Sequence, residues 1–190
     1  ILLNGDIHQV NADKIGISRK LVKTVTYAFL YGAGDIKIGL SYSQRLSENK
    51  ARSKGEEIRR DYIKAIPGLS KLLADIKKRQ KRGFLWSIDG RKIKVDSAHK
   101  ALNYLLQSSA GIIAKRWMVI ANDMIHTHPY FEANQLAFVH DELQFETTPK
   151  YEQDIRYILE VSAGKAGEYY NTRIPIAAES KSGRTWAEVH

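Results

Sequence analysis

Apolar spacing divides the chain into a helical first part and a second part in which helices and strands alternate. Between Ser18 and the Gly32/Gly34 pair, Leu21, Val25, Ala28 and Phe29 recur at helical spacing and form a core stripe, with Ser18 as the N-cap and the glycines as the stop. On the other side of this helix Arg19, Lys23, Tyr27 and Tyr31 fall at successive i+4 steps, so two cations and two phenols share a face. Ahead of it, Asn4-Gly5-Asp6-Ile7-His8 opens a short helix or turn; after it, Gly34 to Leu40 reads as a break. A heavily charged helix runs from Ser47 to Ile66 and stops at Pro67-Gly68. The next, Leu69 to Arg82, ends in the basic run Lys77-Lys78-Arg79-Gln80-Lys81-Arg82, a solvated surface by default.

Near Gly83 the period changes to that of a strand. Phe84 to Ile88 and Arg91 to Val95 flank Asp89-Gly90, a pair suited to a tight primed hairpin turn. Ser97 to about His126 is a long helical run and the main buried helix, on which Asn103 and Gln107 share a face. His126-Thr127-His128-Pro129 closes it, either as a polar loop end or as two metal ligands. Gln135 to Thr147 forms two strands around His140-Asp141, which puts Asp141 and Glu142 at or beside a hairpin tip. Tyr151 to about Tyr170 is helical with a soft spot at Gly164 and Gly167, and Ile174 to Glu179 reads as a last strand. Helices followed by a helix-backed antiparallel sheet make an α+β fold.

Composition narrows the partners. The 190 residues carry a net charge of +9, with basic residues interleaved with Tyr and Trp, which favours nucleic acid over an anionic membrane. No apolar run is long enough for a transmembrane helix and no signal segment opens the chain, so a cytoplasmic protein without membrane partners is expected. Cysteine is absent, which excludes disulfides, zinc-thiolate sites and cysteine nucleophiles. The first residue is Ile1, which suggests a processed, excised or trimmed chain.

Charge also gives the two candidate sites their chemistry. Arg19 and Lys23 lie in the first turns of their helix, where the dipole and unpaired N–H groups already favour an anion, so a nucleoside triphosphate laid along the stripe meets phosphate donors first and phenols afterwards. A solvated basic face edged by two tyrosines explains the same stripe. Acidic groups at a hairpin tip suit Mg²⁺, which takes carboxylate oxygens and substrate phosphates and keeps much of its water. Two-ion nucleotidyl transfer needs more than one such carboxylate.

Arg19-x3-Lys23-x3-Tyr27-x3-Tyr31-Gly32 resembles motif B, the fingers helix of family A DNA polymerases, and Val139-His140-Asp141-Glu142 resembles their palm motif C. Gly5-Asp6-Ile7-His8, Asp89-Gly90-Arg91-Lys92, Asn103-x3-Gln107 and Trp186-x3-His190 extend the resemblance through the chain, and Phe29-Leu30-Tyr31-Gly32-Ala33-Gly34 is similar to the bacteriophage branch. The resemblance implies that His8, Arg19 and Lys23 meet the triphosphate of a dNTP, with Lys23 also serving the leaving pyrophosphate. Tyr27 would lie by the sugar and Tyr31 beside the templating base. Asn103 and Gln107 would contact the minor groove of primer-template DNA, where acceptors are common to all correct pairs. His140 would touch the primer end, Asp141 would bind Mg²⁺ and Glu142 would be its catalytic neighbour.

One departure from the family pattern shapes the functional expectation. Motif A, an Asp-x-Ser-x-x-Glu-like strand that precedes motif B and brings a second metal aspartate, has no counterpart; Tyr42-Ser43-Gln44 lacks the aspartate and falls after motif B. The chain therefore reads as fingers over residues 1–82 and the C-terminal part of the palm over 83–190. It would be a polymerase portion inactive without an N-terminal partner that carries motif A and the thumb, working in a bacterial or phage-infected cytoplasm. The alternatives are a non-catalytic nucleic-acid-binding fragment and a phage-type single-subunit RNA polymerase. The latter usually has His-Asp-Ser where this chain has His140-Asp141-Glu142.

Overall fold

Asp6 and Ser18 start the first two helices as N-caps. In the computed structural model, which describes residues 5–97 and 100–189, the Asp6 carboxylate accepts the His8 and Gln9 amides at 3.0 Å and opens α1 (Ile7–Ile15). The Ser18 hydroxyl accepts the Leu21 amide at 3.3 Å and opens α2 (Arg19–Leu30). Gly32, at φ 72°, closes α2: its own amide bonds back to Phe29 and the Ala33 amide reaches Ala28. The sequence-predicted helix is thus present, with Val22, Val25 and Phe29 as its buried face.

The stretch expected to be a break is instead α3 (Asp35–Tyr42), which packs on α4 (Glu48–Ala65). Gly39 within it is the reason the two helices can touch. A Cβ at Gly39 would overlap the Ala51 carbonyl, and one at Gly55 would overlap the carbonyl of Asp35. After α5 (Leu69–Gln80), β1 (Phe84–Trp86) and β2 (Lys92–Lys94) pair antiparallel, with Trp86 opposite Lys92. Five residues therefore connect them. Among residues 87–91 only Gly90 has positive φ, so the primed two-residue turn does not form; the Asp89 carboxylate instead holds the loop by accepting from the Ser87 hydroxyl and the Arg91 amide.

The structure divides into two compact units between Gln107 and Ser108, C-terminal to the 82/83 boundary expected from the sequence. In the first, Val25, Phe29, Ile38, Ile58, Tyr62, Ile76, Leu85 and Val95 join one core with Ala101 and Leu102, the opening of α6 (Ala101–His126). The β1–β2 hairpin thus belongs with the helices.

In the second unit Ile125 packs with Ile155 and Ile158 of α7 (Glu152–Tyr169), and the Trp117 indole N–H donates to the Leu159 carbonyl at 2.8 Å. A 3-10 turn at Pro149–Tyr151 leads into α7, which runs through Gly164 and Gly167 unbroken. β3 (Ala133–Val139) and β4 (Glu142–Thr147) form an antiparallel pair whose register slips between Gln135 and Ala137, leaving Leu136 as an unpaired bulge.

The expected strand from Ile174 to Glu179 is absent. Pro175 lacks a donor, and the following chain is held by side chains of α7: Glu160 accepts the Ser180 amide and hydroxyl at 3.0 and 2.5 Å, and Arg156 donates to the Ser180 carbonyl at 3.1 Å. The final helix is α8 (Trp186–Val189); His190, the end of the Trp186-x3-His190 match, lies outside the described residues.

Candidate functional site

The outer face of α2 carries the expected stripe. Arg19, Lys23, Tyr27 and Tyr31 are all exposed while the opposite face is buried; Tyr27 is 48% and Tyr31 62% exposed. Arg19 does not project freely. Its Nε donates to Asp6 at 2.5 Å, so the residue that caps α1 also fixes the first cation of α2. The Arg19 hydrogen bond, followed by the Gln9 amide, holds the Asp6 carboxyl below the usual carboxylate range. α1 also brings His8 to this face, its ring centroid 6.4 Å from that of Tyr27 and tilted 54°. The His8 Nδ1 is buried with no hydrogen-bond partner among the described residues.

At the other end of the stripe, the Gln107 side-chain amide donates to the Tyr31 hydroxyl at 3.3 Å. Asn103, one turn earlier on α6, is half-buried. Thus α1 brings Asp6 to Arg19 and His8 to Tyr27, and α6 brings Gln107 to Tyr31. A face with cations at its start, exposed aromatic rings in its middle and an amide at its end can meet phosphate, a flat base and base-edge acceptors in turn.

Two positioning residues escaped the sequence reading. Asp6 figured there only within the run Gly5-Asp6-Ile7-His8, although an Asp directly before an apolar-periodic segment is an N-cap signal. Arg59, lost among the charges of α4, donates to the Asp35 carboxylate and to the Ala33 carbonyl, both at 2.5 Å, with its guanidinium 5.7 Å from the Phe29 ring centroid. It clamps the loop that follows Tyr31.

The second unit presents the acidic tip. Val139 pairs with Glu142, so His140 and Asp141 alone form the connection, and all three polar residues, His140, Asp141 and Glu142, are exposed. His140 takes φ 56°, a left-handed conformation that a non-glycine residue holds at a cost of about 1–3 kcal/mol. Glu142 accepts from the Gln144 amide at 3.4 Å. Among the described residues no three His, Asp or Glu side chains gather as a metal cluster. His126 and His128 instead cap the end of α6, with their Nδ1 atoms at 2.8 Å from the Asn122 carbonyl and 3.2 Å from that of Met124.

A family model described as DNA polymerase family A matches residues 3–188. The chain belongs to that family. The family A sequences it resembles include the DNA-directed DNA polymerases of Enterobacteria phage T3 and Escherichia phage T7, each 32% identical over all of this chain and 29% of the relative. A third, from Escherichia phage Phieco32, is 32% identical over 31% of its length. The chain thus spans less than a third of the curated phage relatives. Among solved structures, the POL domain of Pol1 from M. smegmatis, in complex with DNA primer-template and dNTP, superposes at a TM-score of 0.74. It covers 96% of this chain and 34% of its own length at 22% identity, a likeness of fold. The match agrees with the α+β architecture.

Proposed function

We propose that this chain supplies the nucleotide-selecting face and one metal-binding carboxylate of a template-directed DNA polymerase, transferring deoxynucleotides to a primer 3′ end. The observation that carries the reading is the exposed α2 stripe with His8 brought beside Tyr27 and Gln107 brought to Tyr31 at its far end. Arg19, Lys23 and His8 bind the triphosphate, with Asp6 setting the direction of Arg19. As the primer hydroxyl oxygen bonds to the α-phosphorus, the bond to pyrophosphate breaks, and Lys23 stabilises the leaving charge or donates a proton to it. Tyr27 packs by the sugar, and Tyr31 beside the templating base. Asn103 and Gln107 check the minor groove, and His140 contacts the primer end.

Asp141 and Glu142 offer the hard oxygen donors that Mg²⁺ takes, Asp141 as the ligand. When bound, Mg²⁺ lowers the pKa of the attacking hydroxyl and neutralises phosphate charge. One tip does not make the two-ion site, so the second carboxylate comes from a polypeptide portion bearing motif A and the thumb. In this reading the α2 face is fingers and the β3–β4 hairpin is palm, at work in the cytoplasm of a bacterial host.

Single-nucleotide incorporation with the polymerase that contains this chain tests the assignment. Lys23→Ala should lower kcat by about 10²-fold, the size of loss seen when one charge-stabilising donor is removed. An unchanged kcat would remove Lys23, and with it the stripe, from the chemistry.

A further inference from the structure

The basic run at the end of α5 and the β1–β2 hairpin are used by none of the chemistry above. Residues 77–94 hold eight cations and one acid, Asp89. Asp89 is already engaged by the Ser87 hydroxyl and by Arg91, whose Nε lies 2.5 Å away. Lys77, Lys78 and Arg79 complement the C-terminal dipole of α5, but Lys81 caps the helix and Arg82 lies beyond it, so dipole compensation does not account for the run. All five of these cations are exposed, and no described carboxylate forms an ion pair with any of them.

The hairpin gives this charge an aromatic complement. Its inward face is Leu85 with Ile93 opposite; its outward face is Phe84, Trp86, Lys92 and Lys94. Phe84 and Trp86 meet edge to face with centroids 5.4 Å apart, and the Lys92 ammonium lies 4.8 and 5.6 Å from the two rings. Trp86 remains 51% exposed. The apolar surface is too narrow and too closely interleaved with lysine for a membrane.

We propose that this face binds an unpaired nucleic-acid strand. Phosphates follow the cations from α5 to β2, and bases stack on Trp86 and Phe84. Duplex is a poorer fit, because its stacked base pairs hide the faces that exposed rings would meet, whereas single strands present them. Lys92 loses little on engagement, since an exposed cation–π contact is weak and its flexible stem lets the ammonium move to a phosphate.

The test reads strand binding, so its failure leaves the nucleotide-transfer reading standing. The intact protein is titrated into a labelled oligothymidylate and, separately, into a blunt duplex, and binding is followed by fluorescence anisotropy. Trp86→Ala should weaken oligothymidylate binding about tenfold, Trp86→Phe should restore most of it, and duplex affinity should be unchanged in both. Replacing Lys77, Lys78 and Lys81 with Gln should flatten the salt dependence of single-strand binding by about two in log–log slope, at roughly 0.7 per phosphate contact. An oligonucleotide bearing 5-iodouridine should photocrosslink within residues 83–94. No crosslink there, or a Trp86→Ala loss equal for strand and duplex, would overturn the proposal.

Discussion

At the scale of single residues, the face of α2 was legible because helical periodicity alone decides which side chains share a side. Arg19, Lys23, Tyr27 and Tyr31 could be placed together before any contact was known. Tyr27 yields a direct prediction. In family A a Tyr at this position goes with acceptance of dideoxynucleotides, so Tyr27→Phe should sharply raise discrimination against terminators in a competition assay, and unchanged incorporation would remove Tyr27 from the sugar. Asp6 gives a prediction of a different kind. Its carboxyl is held low by Arg19, so its contribution to stability is complete above the ordinary aspartate pKa, near pH 4, and is lost as pH falls through its lower folded value. Thermal melts from pH 6 down to 2 should show an acid limb that Asp6→Asn flattens. The partners of Asp6 and Arg59 were not legible, because pairs 13 and 24 residues apart are chosen by the fold and not by local pattern.

Among elements, the sequence misled where backbone approach or side-chain capture outweighed propensity. The stretch from Gly34 to Leu40 read as a break, yet α3 forms there and its contact with α4 needs a position without Cβ at Gly39. Gly39→Ala should therefore destabilise the protein by about 1–3 kcal/mol, since the added methyl meets backbone that cannot turn aside. Gly111→Ala in α6, where a Cβ meets nothing within 4 Å, should stabilise it by about 0.5–1 kcal/mol. Denaturant midpoints of the two variants, moving in opposite directions, check both. The missing last strand has the complementary cause: Pro175 and the side chains of Glu160 and Arg156 replace a ladder with capture on α7. The β3–β4 hairpin was legible because alternation and a two-residue gap fix its tip, although the Leu136 bulge has no sequence marker.

For the whole molecule, the α+β class and the family follow from elements that agree in order, from the α2 stripe to the acidic tip. The chain matches family A over residues 3–188 and spans less than a third of its phage relatives. The α2 stripe lies in the first compact unit and Asp141 in the second. We propose that this chain supplies one of the two metal carboxylates of a polymerase centre and that the second lies on another polypeptide portion. Primer extension with Mg²⁺ and four deoxynucleotides decides it, using this chain alone, a portion carrying motif A and the thumb alone, and the two mixed. Extension is expected only in the mixture, with its loss on Asp141→Asn; robust synthesis by this chain alone, or an undiminished mixture containing Asp141→Asn, would overturn this division of the two carboxylates.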